Sequence, residues 1–203
     1  MSQFDASARE WDNNPMHWER SQAIADMLQK IVPFRQGMSA LEFGAGTGIL
    51  SFLLEKQYSE IVLMDSSSEM VNVMKEKVNK TGLNHLKPLF FDLEKDDYPG
   101  STFDMIYTQM AMHHVADIQG VITRFNRLLY PGGWLAIADL YKEDGSFHGE
   151  GFTGHHGFDT KALENMRGNA GFHSVTTRNC FMVKKMINAT QREFPVFLMT
   201  AIK

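Results

Sequence analysis

Apolar positions recur along this chain with two periods. The first helical stretch covers 16–31, where Trp18, Ala23, Ile24, Met27, Leu28 and Ile31 return at three- and four-residue steps. Pro33 and Gly37 end it. "MSALEF" then reads as a buried strand that stops at Gly44, and "GILSFLLEKQ" as a helix. "EIVLMD" is a short, branched, apolar strand closed by an acid. "SEMVNVMKEKVNK" is an amphipathic helix with Thr81-Gly82 as its stop. "HLKPLFFD" gives a third strand, weakened by Pro88. A further unit follows, with strand "TFDMIYTQM", helix "ADIQGVITRFNRLLY", a turn at Pro131-Gly132-Gly133, and the apolar strand "WLAIADL". That last run suits a strand covered on both faces.

After residue 140 the texture changes. Residues 141–159 are rich in Gly, His and acid and read as a loop. "DTKALENMRGNAGF" is a helix capped by Asp159 or Thr160. Two long strand-like runs, near 172–186 and 193–203, close the chain and lie near enough to pair as a hairpin. Strands alternating with helices predict an α/β fold. The expected architecture is a doubly wound sheet of about seven strands, mostly parallel, with helices on both faces and an antiparallel last strand at its edge.

Composition narrows the setting. The 203 residues suit one domain, 1–203. Apolar residues at 43% and charged residues at 22% are ordinary for a globular protein. A net charge of −4 provides no global field for a nucleic-acid backbone, so no nucleic-acid partner is expected. Cys180 is the single cysteine and cannot form an internal disulfide, which fits a reducing compartment. The polar start "MSQFDASARE" lacks a secretory core, and no window approaches eighteen apolar residues. A cytoplasmic protein without a membrane span is expected.

The chemistry concentrates at "LEFGAGTG", residues 41–48. A glycine-rich turn between strand and helix lets the chain adopt angles closed to other residues and lets a ligand approach the main chain. Two ligand classes compete. The nicotinamide fingerprint is G-x-G-x-x-G with an acid about twenty residues on. Here the pattern is Gly44-x-Gly46-x-Gly48, with the third glycine one place early. Asp65 could hold a ribose in either class, whereas Glu42 discriminates between them.

Glu42-Phe-Gly44-Ala-Gly46-Thr-Gly48 resembles the first motif of class I S-adenosylmethionine-dependent methyltransferases, whose sheet is Rossmann-like. "FDLEKDDYPGSTFDMIYTQMAMHHV" and "RLLYPGGWLAIAD" extend the resemblance over nearly the whole chain. The similarity is greatest to the small-molecule branch that includes ubiquinone/menaquinone-type enzymes. The resemblance implies S-adenosylmethionine as cofactor and S-adenosylhomocysteine as product. It implies that Glu42 and the main chain of Gly44, Ala45, Gly46 and Gly48 lie along the methionine moiety. Asp65 would accept the ribose hydroxyls. Asp92 would accept from the adenine amino group, with Met64, Ser66 and Leu93 at its border, and Gln109 would reach the methionine end. The chain lacks an Asn-Pro-Pro-Tyr-like run after strand four and has "TQMAMHH" instead. That argues against an exocyclic amino acceptor on DNA. With no long insertion for a substrate domain, the acceptor meets only the short N-terminal segment and the 141–159 loop, so a small-molecule methyl acceptor is expected; a monomer or homodimer is the expected assembly.

The histidines supply candidate bases, because imidazole titrates near working pH. His113 and His114 follow strand four. His148, His155 and His156 lie in the 141–159 loop on the substrate side. His114, with His155 or His156, is the candidate catalytic set, and His113 is a substrate-side candidate. The structural alternative is loop histidines bound to main chain. The spacing matches no zinc signature, so no metal is expected. The resemblance also implies a lid before strand one, so residues 1–35 are an expected helical lid in which Trp11 or Trp18 covers the pocket, an aromatic face near a sulfonium being favourable by about 0.5–2 kcal/mol. Two other readings stand beside methyl transfer: an NAD(P)-dependent oxidoreductase on the same sheet, and a non-catalytic module that binds S-adenosylmethionine.

Overall fold

In the computed structural model, which describes residues 3–203, the chain forms one seven-stranded sheet with helices on both faces. The helices are α1 (Gln3–Ser7), α2 (Pro15–Ile31), α3 (Ile49–Leu54), α4 (Ser68–Thr81), α5 (Ile118–Leu128) and α6 (Thr160–Asn169). The strands are β1 (Ser39–Phe43), β2 (Glu60–Asp65), β3 (Leu86–Phe90), β4 (Phe103–Gln109), β5 (Leu129–Leu140), β6 (His173–Ile187) and β7 (Thr190–Ile202). Residues 1 and 2 of the expected lid segment lie outside the described residues.

Local chemistry sets the helix ends. Asn14 caps α2 by accepting from the Met16 N–H at 3.1 Å, with Pro15 at the first helical position. Ser67 caps α4, and Gly82 at φ +71° ends it. Asp117 and Asp159 cap α5 and α6. The expected helix after Gly48 is shorter than its pattern and passes into a 3-10 turn at Glu55–Gln57.

The strand order is β3-β2-β1-β4-β5-β7-β6. β1 to β5 run parallel, and Leu41 sits in register with both Val62 and Ile106. The order reverses between β1 and β4, which opens a crevice at their carboxyl ends. Period-two alternation divides the core. Ala40, Leu63, Met105 and Tyr107 pack with Leu28, Leu50 and Met74 on one face. Leu41, Ile106 and Ile137 pack with Ile122 and Phe125 on the other. Truncating a fully buried member such as Leu41 to Ala costs about 2–5 kcal/mol.

Two expectations need correction. The last strand is antiparallel but does not form the edge: β7 lies between β5 and β6. Burial explains this. Val196 to Ala201 are buried, as an interior strand requires, whereas β6 is mostly exposed and carries Arg178, Lys184 and Lys185 at the rim. Pro131-Gly132-Gly133 does not interrupt the chain before β5 but lies within it. The register jumps there from Phe103–Leu129 to Met105–Trp134. Gly132 N–H donates to the Lys203 carbonyl, and Lys203 N–H to the Gly133 carbonyl, so pairing with the chain end holds the segment extended. Among the described residues no helix is long and apolar enough to cross a membrane.

Candidate functional site

The carboxyl ends of β1, β2 and β4 open onto a cavity of about 580 Å³, within the usual range for small-molecule sites. Its floor is the turn after β1, which passes through Gly44, Gly46 and Gly48 at φ +64°, +57° and +82°. A Cβ on Gly44 would stand 2.4 Å from the Ala111 Cβ, and one on Gly48 2.7 Å from Leu63 Cδ2. The first glycine lets β4's extension come close, and the third packs the helix onto the sheet. Gly46 differs, since its nearest neighbour would be Trp11 Nε1 at 4.0 Å. Its missing side chain keeps the main chain open toward the cavity. Gly44, Ala45 and Gly46 line the space, while Gly48 lies behind them in the core.

Glu42 is fully buried beneath this turn, outside the cavity wall. Its Oε2 accepts from the Ser51 N–H at 3.2 Å and the Ser51 hydroxyl at 2.5 Å, and that hydroxyl meets the Tyr107 hydroxyl at 2.7 Å. Oε1 has no partner among the described residues. Desolvation pushes the carboxyl up to about 8, so the group is mostly protonated near neutrality.

Asp65, at the end of β2, lines the cavity. Its Oδ2 accepts from the Gly46 N–H at 2.7 Å and its Oδ1 from the Ser67 N–H at 2.8 Å. It therefore ties the glycine turn to the start of α4. A carboxylate has about four acceptor sites, so capacity remains for two hydroxyls. Burial raises its affinity for a proton against those two bonds. Ser66, Asp92 and Leu93 line the same end. Asp92 accepts from Lys95 Nζ at 2.7 Å and from the Glu94 N–H at 3.1 Å. Gln109, which lines the opposite end, accepts from the Ser21 hydroxyl at 3.0 Å.

The N-terminal segment roofs the cavity, and polar ties hold it in place. The Ser67 hydroxyl donates to Asp5 at 2.6 Å, which fixes α1 to α4. Asp12 accepts from the Thr47 hydroxyl at 2.5 Å and from Lys77 Nζ at 2.8 Å, and Lys77 also donates to the Thr47 carbonyl at 2.9 Å. This lock brings Trp11 over the glycine turn, where its ring stacks on His17 with centroids 4.2 Å apart. Trp18 does not reach the cavity. It is 38% exposed, donates to the Asp12 carbonyl at 2.9 Å and lies against Lys77.

The far end of the cavity carries the histidines. His113 and His114 occupy a 3-10 turn, Met112–His114, just past β4. His113 is 1% exposed, and its Nδ1 lies 2.7 Å from Asp139 Oδ1 at the end of β5. The same carboxylate accepts from the His113 N–H at 3.2 Å and the Leu140 N–H at 2.7 Å. His148 arrives from the 141–159 loop and stacks on Phe152 with centroids 3.9 Å apart. Burial, then repulsion from neighbouring histidines, drives His114 down to about 3 and His148 to about 4. An imidazole so reluctant to take a proton is poorly matched to general-base work near neutrality. His155 and His156 stand outside this cavity. His155 Nε2 lies 3.0 Å from the Val115 carbonyl, and its N–H donates to the His113 carbonyl at 2.8 Å. His156 faces Glu143 at 3.5 Å. His155 holds the loop against the chain, and His156 ties the loop to itself. His114, His148, Phe152 and His155 also border an adjoining hollow of about 650 Å³.

Sequence reasoning passed over two buried groups here. Arg20 is 5% exposed and lines the cavity; its Nη1 meets the Met16 sulfur at 3.4 Å, and its Nε has no partner among the described residues. Burial lowers it to about 10, still a cation. A cation on the apolar stripe of α2 was the available signal. Asp139 is fully buried, and an acid inside "WLAIADL" was the corresponding one.

Comparison with known proteins follows this geometry. A sequence model described as a methyltransferase domain matches residues 16–179. The chain is 34% identical over 157 residues to an uncharacterized methyltransferase of Schizosaccharomyces pombe, covering 70% of this chain and 55% of that protein. The chain spans 55%, 38% and 34% of the lengths of three curated relatives it matches. Its fold is similar to a putative methyltransferase of Haloferax volcanii solved in complex with the Trm112 methyltransferase activator, with TM-score 0.79, 18% identity, and 100% and 98% of the two chains covered. It is also similar to a SAM-dependent methyltransferase of Aquifex aeolicus, with TM-score 0.71, 23% identity, and 98% and 97% covered.

Proposed function

The chain belongs to the methyltransferase-domain family, and on that premise we propose that it transfers a methyl group from S-adenosylmethionine to a small-molecule acceptor by in-line displacement. The observation that carries the reading is the cavity itself. One continuous space runs from Asp65, Ser66 and Leu93 over the Gly44–Gly46 main chain to Gln109 and the histidines. A nucleoside joined to an amino acid needs a space of that length and polarity.

The residues present fit the cofactor. Asp65 has acceptor capacity for ribose hydroxyls, with Ser66, Leu93 and Asp92 around the base. Gly46 carries no side chain over the turn, so a ligand can approach the main chain there, and Glu42 Oε1, without a partner among the described residues, lies below as an acceptor for an ammonium. Arg20 offers an unpaired N–H for a carboxylate. Trp11 lines the cavity with one ring face on His17, and a sulfonium against its other face would gain about 0.5–2 kcal/mol. When bound, S-adenosylmethionine supplies an electrophilic methyl and leaves as S-adenosylhomocysteine.

The chain's own residues contribute by orientation and by excluding water, together worth about 7–11 kcal/mol in well-aligned systems. The Asp12–Thr47–Lys77 lock holds residues 3–35 as the lid. The 141–159 loop bounds the acceptor space, and the adjoining hollow beside His114 and His148 gives a small acceptor its approach. His114 lines that space uncharged, and His113 is held by Asp139. His155 and His156 act through the loop's conformation. The single, half-buried Cys180 fits a cytoplasmic setting, and a monomer or homodimer completes the reading.

Calorimetry tests this directly. S-adenosylhomocysteine is expected to bind the wild-type chain at micromolar concentration and to lose at least about a hundredfold in affinity on Asp65→Ala, two charge-assisted hydrogen bonds at about 1.5–3 kcal/mol each. Binding of NADH without S-adenosylhomocysteine would restore the oxidoreductase alternative. Cofactor binding with no transfer to any acceptor would favour the regulatory module.

A further inference from the structure

We propose that His113, His114 and His148 form a binding site for one divalent transition-metal ion of the zinc class, with its open position facing the acceptor end of the cavity. One ligand atom from each of the three imidazoles lies within 4.8 Å of the other two. Their rings stand 4.1, 4.9 and 5.4 Å apart between centroids. A tetrahedral site with metal–nitrogen bonds of about 2.0–2.1 Å places its nitrogens about 3.3 Å apart. The cluster therefore needs to contract by about 1.5 Å at most, a movement within reach of the loop that carries His148. That loop has Gly145, Gly149 and Gly151 at positive φ, the latter two with open space around them.

Two features go beyond proximity. Asp139 is fully buried and holds His113 Nδ1 at 2.7 Å. With the proton on Nδ1, the Nε2 lone pair is free. A ligating histidine carries this arrangement, one ring nitrogen donating to a carboxylate and the other on the metal. His148 Nε2 is buried and has no hydrogen-bond partner among the described residues. An unpartnered buried ring nitrogen on a histidine grouped with two other imidazoles has no structural use that the hydrogen bonds reveal, and a shared cation would satisfy it. Imidazole donors suit zinc, copper, iron, cobalt or nickel rather than calcium or magnesium. Three protein ligands leave a fourth position open.

Surrounding charge selects what fills that position. Asp139 supplies one negative charge behind His113. Arg20 lines the same cavity, and Lys185 Nζ donates to the Phe147 carbonyl beside His148. With cations on two sides, an anionic fourth ligand is favoured, and a thiol or hydroxyl of the acceptor can become one. Such a group loses its proton to solvent when metal-bound. Its heteroatom then forms the new bond to carbon as the carbon–sulfur bond breaks and the electron pair returns to sulfur. This use of the metal rests on the methyltransferase reading; the existence of the site does not.

The test is cobalt titration of tag-free protein, followed by visible absorption and competition with zinc. About one equivalent of Co²⁺ per chain is expected, with the intense visible band of a four-coordinate site, displaced by Zn²⁺. His148→Ala and His113→Asn are expected to weaken binding by at least about tenfold. His173→Ala, which removes an exposed histidine at the start of β6, is expected to bind as wild type. His148 lies on a loop, so its variant tests the site even if His113→Asn fails to fold; circular dichroism checks both. Absence of stoichiometric cobalt, or wild-type affinity in His148→Ala, overturns the proposal. S-adenosylhomocysteine titrated into the same samples separates the two readings. Metal without this ligand supports the site and removes the methyltransferase reading, whereas the ligand without metal does the reverse.

Discussion

Replacing Glu42 by Gln should change how folding stability depends on pH. Glu42 is fully buried, and desolvation lifts its carboxyl from 4.5 to about 8. The folded chain therefore holds a proton there over a range in which the unfolded chain has released it. The sign follows from linkage: where the folded state binds more protons, stability falls as pH rises. The contribution is fully present below about pH 4.5 and lost by about pH 8. A shift of about 3.5 units, from 4.5 to about 8, sets an upper limit of about 4–5 kcal/mol at 1.36 kcal/mol per unit. Gln keeps an oxygen for the Ser51 donors and removes the titration. Its amide N–H₂ falls where Oε1 has no partner, at a pH-independent cost of about 1–3 kcal/mol. The slope is thus the observable rather than the absolute value. Urea unfolding of ligand-free protein at about pH 5, 7 and 9 should show the variant gaining on wild type by at least about 2 kcal/mol across the series. Parallel pH profiles would refute the buried, proton-holding carboxyl. The same group should report ligand binding, because a nearby ammonium favours the carboxylate. Near pH 7 wild type should then release protons on binding S-adenosylmethionine, seen as a buffer dependence of the calorimetric enthalpy, and Glu42→Gln should release none.

Other perturbations act on separate parts of the account. Gly44→Ala combines φ +64° with a Cβ 2.4 Å from Ala111, so thermal unfolding should show a loss of about 2–5 kcal/mol. Gly37→Ala, at φ +88° in open space, should cost only about 1 kcal/mol in the same assay. Asp12→Ala removes the Thr47 and Lys77 ties of the lid, and the Kd for S-adenosylhomocysteine should rise roughly fivefold, about 1 kcal/mol, with little change in melting temperature. Arg167 is fully buried in α6 with both terminal nitrogens unpaired among the described residues, so Arg167→Met should raise the melting temperature, by an amount equivalent to about 1–2 kcal/mol. A lower one would contradict the unpaired burial of its guanidinium.

Much of the sheet was legible because its signals are local. β1, β2, β4 and β5 are apolar runs punctuated by glycine or acid, and each lies within a residue or two of its expected place, apart from the start of β5. The position of β7 was not legible: a hairpin pattern states that two strands pair, not which of them meets β5. The glycine turn and Asp65 were legible because a turn at positive φ needs glycine and the acid closes an apolar run, and such needs leave a residue signature. The histidine cluster was half legible. His113 and His114 are adjacent, but His148 joins them only through a loop 34 residues further on, and His155 and His156 look equivalent to it in sequence. Arg20 and Asp139 went unread because a buried charge looks like an ordinary polar residue until its surroundings are known.

The most direct test of the central claim is release of S-adenosylhomocysteine from S-adenosylmethionine by the pure protein. A cell extract split into small-molecule and macromolecular fractions would supply the acceptor. Release with the small-molecule fraction alone is expected, and it should fall away in Asp65→Ala. Release only with the macromolecular fraction would contradict the small-acceptor reading, and no release with either would contradict methyl transfer itself.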